Sequence, residues 1–230
     1  YSSSTTCEFN NPGPYLLTLD IIDANNCPGD TSISITVWDN PTAIIDPIIP
    51  VCEDLINQTN PTLLTNSSYP SGSIVKWEWD LDDGGPIVTI NSNPGDTSYS
   101  YPCINSPYNV TLEVTDANGC TNTSVPEIAT INCNPTANFS APDVCEGDVT
   151  NFDGLTSPTG SIPVTGPISN YTWEFFDLGI SQSIPNGNNP NFSWSFPPGT
   201  HSVTLIVQDD YCTGEREKDI FVRALPDVSF

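Results

Sequence analysis

The sequence predicts an all-β chain built as tandem β-sandwich repeats, and three observations carry the prediction. Tyr108 to Cys120 reads Tyr-Asn-Val-Thr-Leu-Glu-Val-Thr-Asp-Ala-Asn-Gly-Cys, an apolar/polar alternation that ends on a turn and a cysteine. That is the period-2 pattern of a strand with one buried face. The pattern returns at Tyr15 to Cys27 and at His201 to Cys212. The cysteines also keep one spacing: Cys27 and Cys120 lie 93 positions apart, Cys52 and Cys145 also 93, and Cys120 and Cys212 lie 92 apart. Two cysteine classes on one period mark a duplicated unit, and a unit of that length made of many short strands has the size of a β-sandwich.

Taken in order, residues 1–41 read as the last part of a first unit, with strands over 15–22 and 31–37 joined across the Asp23-Ala24-Asn25-Asn26 turn. Two strands alone are marginal, so this part is expected to need the rest of its unit or a neighbour. Residues 42–134 read as a complete unit with strands over 43–45, 63–65, 74–81, 87–90, 98–101, 108–115 and 125–131. Residues 135–225 repeat the plan with strands over 137–140, 150–152, 169–176, 191–196, 201–208 and 219–223, and 226–230 open a further unit. The junctions Asn40-Pro41-Thr42-Ala43 and Asn134-Pro135-Thr136-Ala137 match each other. Each carries a proline, whose fixed φ stiffens a short joint. The chain opens within one unit and closes at the start of another, so it is read as an internal segment of a longer secreted protein.

Charge narrows the function classes. Lys plus Arg is 4 against 28 Asp plus Glu, a formal net charge of −24. Nucleic acid and anionic membrane surfaces both have to be met by Lys or Arg, so neither is an expected partner. Disorder is the plain alternative for so acidic a chain, but 5 Trp, 9 Phe and 8 Tyr sit inside alternating runs, and such runs bury surface. No apolar run approaches the length of a membrane span.

Eight cysteines in a chain without Met point to an oxidising, extracellular setting. No Cys-x-x-Cys pair is present, which argues against zinc. Val51-Cys52-Glu53 and Val144-Cys145-Glu146 occupy the same position in successive units, and each precedes a turn cysteine by some two-thirds of a unit. The expected pairs are Cys52–Cys120 and Cys145–Cys212, with loops of about 65 residues worth about 4 kcal/mol on the chain-entropy account. Cys103 and Cys133 flank the last hairpin of the second unit and are expected to bridge its open end. Cys27 is expected to pair upstream of this sequence, and the pairing of Cys7 is left open.

In Lys76-Trp77-Glu78-Trp79 and Asn170-Tyr171-Thr172-Trp173, Trp79 and Trp173 stand mid-strand and are read as core residues. Trp77, Trp38 and Trp194 are the candidates for an outward row that would stack on sugar rings. Asp80, Asp82 and Asp83 are candidate calcium ligands, because loop carboxylates suit that ion. Asp116 with Asn118, recurring as Asp23 with Asn25, has the same composition. The competing reading is that Asp, Asn and Gly are turn formers for conformational reasons. His201 is the one histidine and stands where Tyr15 and Tyr108 stand in the other repeats, so its role is read as structural. No catalytic motif is present, and a nonenzymatic chain is expected.

Trp79-Asp80-Leu81-Asp82-Asp83-Gly84, followed by the strand from Tyr108 to Cys120, resembles the PKD (polycystic kidney disease) repeat with its Trp-Asp-Phe-Gly-Asp-Gly motif and Tyr-x-Val-x-Leu-x-Val strand. Leu81 and Asp82 depart from that motif, and the segment from Trp173 to Gly179 departs further. The resemblance implies immunoglobulin-like β-sandwiches. With the added Val-Cys-Glu and Asn-Gly-Cys cysteines, it resembles the PKD-like repeats of giant surface adhesins of gliding bacteria, exported by the type 9 secretion system. It implies a cell-surface structural segment whose partners are neighbouring repeats, surface polysaccharide or adhesin-associated proteins, and the secretion machinery during export. The alternative is a spacer or carbohydrate- or protein-binding module of a secreted multidomain enzyme.

Overall fold

The computed structural model describes residues 4–54, 59–154, 168–185 and 191–228, so Ser229 and Phe230 of the expected last junction lie outside the described residues. Among the described residues the fold is all-β, with two one-turn 3-10 helices at Cys103–Asn105 and Phe176–Leu178. The chain gathers into two compact units. One comprises Tyr1–Ile48, Leu63–Thr97 and Asn109–Ile128, and the other Ile49–Thr62, Ser98–Tyr108 and Ala129–Phe230.

The first unit begins with a hairpin, Gly13–Ile22 against Pro28–Val37, in register from Gly13↔Val37 to Ile22↔Pro28. Its alternation matches that of the other repeats, yet Leu17, Leu19 and Ile21 are exposed, whereas their counterparts Val110, Leu112 and Val114 are fully buried. The central sheet runs Glu127–Ala129, Tyr108–Asp116, Ile74–Asp80, Val88–Ile90, with Thr121–Thr123 also paired to Tyr108–Asp116. A second layer is pinned by the bridges Thr42↔Tyr69 and Ile45↔Asn66. Asn66 is tied to the 94–96 loop, its Nδ2 donating to the Pro94 carbonyl at 2.8 Å and to Asp96 Oδ1 at 2.9 Å.

Trp77 and Trp79 are both buried. The outward position expected for Trp77 is therefore corrected, and the reason is the strand's own period: residues two apart share a face. Gly95 lies over this pair. Trp79 Nε1–H donates to the Gly95 carbonyl at 2.9 Å, and a Cβ on Gly95, whose φ is +79°, would overlap the Trp77 ring.

In the second unit a three-stranded sheet, Phe139–Ser140, Thr150–Gly154, Phe192–Trp194, faces a five-stranded one. The latter runs Val144–Cys145, Thr213–Arg223, Gly199–Gln208, Asn170–Phe175, Ile180–Pro185. Aromatic rings fill the space between them: Trp173 lies 5.0 Å from Phe139 and 5.1 Å from Phe152, centroid to centroid. Val203, Leu205 and Val207 project from the alternating strand and are fully buried, each worth about 1.5–3 kcal/mol of burial. Thr213–Arg223 runs longer than the expected 219–223, because its first half is a polar run with no alternation to announce it. The expected 125–131 strand is split into Glu127–Ala129 and Ile131–Asn132, which pair with different neighbours.

Gly95→Ala adds both backbone strain and a clash with Trp77, and is expected to lower stability by about 3 kcal/mol or more. Gly119→Ala, at φ +84° with nothing within 4 Å of the added Cβ, meets backbone strain alone and is expected to lose about 1–2 kcal/mol. Urea unfolding midpoints of the two variants check the difference.

Candidate functional site

The residues with a shared and specific geometry are the cysteines and the turns that seat them. Each turn cysteine is held by a reciprocal pair of hydrogen bonds with an aspartate. Cys27 N donates to Asp23 Oδ1 at 2.8 Å, Cys120 N to Asp116 Oδ1 at 2.8 Å, and Cys212 N to Asp209 Oδ1 at 2.6 Å. In return the Asp23, Asp116 and Asp209 amides each donate to the carbonyl of their own cysteine at 3.0 Å. The aspartate-asparagine pairs with the composition of a calcium site thus act as turn formers that position a sulfur. Burial works to raise the Asp116 carboxyl, but the amides of Cys120 and Asn118 and the Asn118 side chain outweigh it and hold it below the ordinary aspartate value of 3.8. The Cys27 and Asn25 amides hold Asp23 below it as well.

The second cysteine class is seated on short parallel ladders. Val51–Cys52 pairs with Ile131–Asn132, Cys52 opposite Asn132, and Val144–Cys145 pairs with the end of Thr213–Arg223, Cys145 opposite Arg223. The next residue closes each ladder in the same way, Glu53 N to the Asn132 carbonyl at 2.9 Å and Glu146 N to the Arg223 carbonyl at 2.8 Å.

Register places the two classes at opposite ends of a repeat. Within the second unit, Cys145 stands beside Val222 and Arg223, and Val222 faces Gly199. Cys212 sits at the far turn, next to Thr213, which faces Gln208. Nine residues of strand separate those levels, about 30 Å at ~3.3 Å per residue, whereas disulfide-bonded Cα atoms lie within about 7 Å. A Cys145–Cys212 bond is therefore out of reach, and that expected pairing is corrected. The structure instead bonds Cys52 to Cys212, with Cα atoms 5.7 Å apart and 160 positions between them in sequence. Cys120 and Cys145 are free thiols, as are Cys7 and Cys27, so Cys52–Cys120 is not formed either. Cys103 is bonded to Cys133 with a Cα separation of 5.1 Å. Glu53 Oε1 accepts from the Cys103 amide at 2.9 Å, which ties the two bonds together. On the chain-entropy account, closing 160 and 30 residues is worth about 5 and 3.6 kcal/mol.

The chain enters and leaves a repeat at these same two ends. Pro135 runs so close to Gly214 that a Cβ there would overlap its carbonyl; entry is beside the Cys212 turn. In the preceding repeat, Ala43 N donates to Asn122 Oδ1 at 2.9 Å, two residues beyond Cys120, so entry is again beside the turn. Exit is beside the other class, at Asn132 opposite Cys52 and at Arg223 opposite Cys145.

The remaining candidates are accounted for by structure. Asp82 Oδ2 accepts from Asn109 N at 2.9 Å, Asp80 Oδ1 from Asp82 N at 3.1 Å, and Asp83 Oδ1 from Gly85 N at 2.8 Å. Among the described residues no group of three or more His, Cys, Asp or Glu could hold a metal ion. His201 is buried, and its Nε2–H donates to the Pro197 carbonyl at 2.7 Å. Tyr108 and Tyr15 donate in the same way to the carbonyls of Pro102 at 2.6 Å and Asn11 at 2.7 Å. All three residues make one structural contact, like the tyrosine corner of immunoglobulin-like sandwiches. Of the three tryptophans proposed as a sugar platform, Trp77 is buried and Trp194 stacks on Phe175 at 6.0 Å and Phe192 at 6.1 Å, leaving Trp38 largely exposed.

Residues 41–130 and 132–223 each match the PKD domain family. The chain belongs to that family. PKD domains are typically extracellular, non-catalytic modules, and the two disulfides agree with an extracellular setting. Among solved structures, the chain is similar to the fibronectin(III)-like modules of Clostridium thermocellum CbhA, with 18% identity over 82% of this chain and 98% of that one and a TM-score of 0.36. It is also similar to the FN1-FN3 domains of chicken CNTN1, with 10% identity over 89% of this chain and 76% of that one and a TM-score of 0.38. A third likeness is to three N-terminal domains of the bacteriophage RB49 Hoc protein, with 12% identity over 79% of this chain and 59% of that one and a TM-score of 0.34.

Because the folded Asp116 carboxyl sits below 3.8, its ionised form stabilises the fold above the unfolded value, and that contribution is lost as pH falls through the lower folded value. The stability difference between the native chain and Asp116→Asn is therefore expected to favour the native chain at pH 7 and to shrink in acid. A difference that stays flat from neutral to acid pH in urea titrations would contradict this.

Proposed function

We propose that this chain is a structural, non-enzymatic segment of a large extracellular adhesin filament of the SprB kind, supporting surface attachment and gliding motility after export by the type 9 system. Its repeats are the stalk, and they hold an adhesive part away from the cell. Neighbouring repeats of the same chain are its main partners. The observation that carries this reading is the bond between Cys52 and Cys212, because it joins a residue of the first family match to one of the second. A covalent tie across a junction serves a chain under tension.

The composition supports the same reading. Three of the 4 Lys and Arg residues have structural partners: Lys76 pairs with Glu78 at 2.7 Å, Arg223 with Asp143 at 3.2 Å, and Lys218 reaches Asn138 at 2.9 Å and lies over the Phe139 ring. The surface is left strongly anionic, which keeps a long chain soluble and disfavours self-association. The aspartates at the turns accept hydrogen bonds from backbone amides and so fix the chain there. A substrate-stacking module would present its tryptophans in a row, and Trp77 and Trp194 stand in the packing.

The tie makes extension depend on redox state. With the Cys52–Cys212 bond intact, pulling the 230-residue chain by its ends bypasses 160 residues and extends about 70, or about 250 Å at ~3.5 Å per residue. After reduction the same chain is expected to reach about 800 Å. Single-molecule pulling with and without reductant reads the difference, and equal lengths would overturn the load-limiting stalk.

A further inference from the structure

Two of the free thiols, Cys145 and Cys120, occupy the same local settings as the bonded pair. Cys52 belongs to the exit end of one repeat and Cys212 to the entry turn of the next, and the chain itself passes between those two ends at Asn132 and Pro135. Cys145 is the counterpart of Cys52, and Cys120 the counterpart of Cys212, at spacings of 93 and 92. The likeness extends to the seating. Cys145 rests on the same two-residue parallel ladder, closed by the same glutamate amide, as Cys52. Cys120 is held by the same aspartate Oδ1 and the same reciprocal backbone bond as Cys212. Cys145 is exposed and Cys120 half-exposed, so both sulfurs can be reached.

We infer that Cys145 and Cys120 are the two complementary halves of the same inter-repeat bond. Cys145 receives the turn cysteine of a following repeat, and Cys120 receives the Val-Cys-Glu cysteine of a preceding one. Cys27, seated like Cys120, is a further turn half. Every junction is then stapled by one disulfide from the exit end of one repeat to the entry turn of the next, and the array is covalently continuous by two routes, backbone and sulfur.

The chemistry is thiol–disulfide exchange with a low-molecular-weight disulfide as oxidant. The thiolate of Cys145 attacks that disulfide and expels one thiolate. The turn thiolate of the neighbouring repeat then attacks the mixed disulfide at Cys145 and expels the second. One protein S–S bond forms, the oxidant's S–S bond is lost, and the two protons and two electrons of the protein thiols end on the two small thiols released.

This inference rests on the array reading of the preceding subsection only in needing a further repeat, and the test supplies one. A second copy of residues 135–225, carrying Cys145→Ala, is fused after Leu225 of the chain and refolded in reduced and oxidised glutathione. In the unfused chain Cys145 is expected to be alkylated almost completely. In the fused chain it is expected to be almost completely protected and recovered in a peptide linked to Cys212, while the Cys52–Cys212 peptide persists. Fusion of residues 42–134 in place of that copy is expected to yield Cys145 linked to Cys120, which keeps the test independent of how one added repeat folds. Cys145 still alkylated in both fused chains, or a Cys145–Cys212 peptide in the unfused one, would overturn the inference. Either result would leave the stalk reading to the pulling experiment.

Discussion

One strand pairing determines most of what this chain can do. Gly199–Gln208 lies antiparallel to Thr213–Arg223, with Gly199 facing Val222 and Gln208 facing Thr213. A strand pair of that length has two ends about 30 Å apart, and the repeat uses them differently. The turn end carries a cysteine held by an aspartate and receives the incoming chain. The other end carries the outgoing chain and the Val-Cys-Glu cysteine, laid parallel to the last strand. Because the two sulfurs of one repeat cannot meet, a bond between the two classes has to cross a junction, as Cys52–Cys212 does.

The sequence made the fold legible and the cross-links only partly so. Alternation is a local signal, and it marked the strands containing Val110, Leu112, Val114 and Val203, Leu205, Val207, all of which are buried. It also contained the answer for Trp77, which stands two residues from Trp79 and so shares its face. Spacing revealed two cysteine classes, but spacing along the chain says nothing about which end of a sandwich a residue occupies. That depends on Val51–Cys52 and Val144–Cys145, two-residue parallel strands too short to have a period. The run before Asp219 in Thr213–Arg223 was similarly silent, since Gly-Glu-Arg-Glu-Lys has no apolar residue to alternate with its polar ones.

The acidic residues illustrate how one composition serves two chemistries. Asp, Asn and Gly clustered in a loop are what a cation site needs and also what a tight turn needs. The geometry separates them. At Asp23, Asp116 and Asp209 the carboxylate oxygen is directed at backbone amides two to four residues on. At Asp82 it reaches the Asn109 amide, where the central strand begins. In each case the carboxylate sets a backbone conformation, and at three turns that conformation sets the direction of a sulfur. His201 fits the same account, since it replaces a tyrosine hydroxyl with a ring N–H aimed at an equivalent carbonyl.

The central claim is that a disulfide between the Val-Cys-Glu class and the turn class crosses a junction instead of closing a single repeat, as Cys52–Cys212 does. Peptide mapping of the oxidised chain without reduction, after alkylation of free thiols, tests it most directly. The account predicts a peptide in which Cys52 is linked to Cys212 and another in which Cys103 is linked to Cys133, with Cys120 and Cys145 alkylated. A peptide linking Cys52 to Cys120, or Cys145 to Cys212, would contradict it.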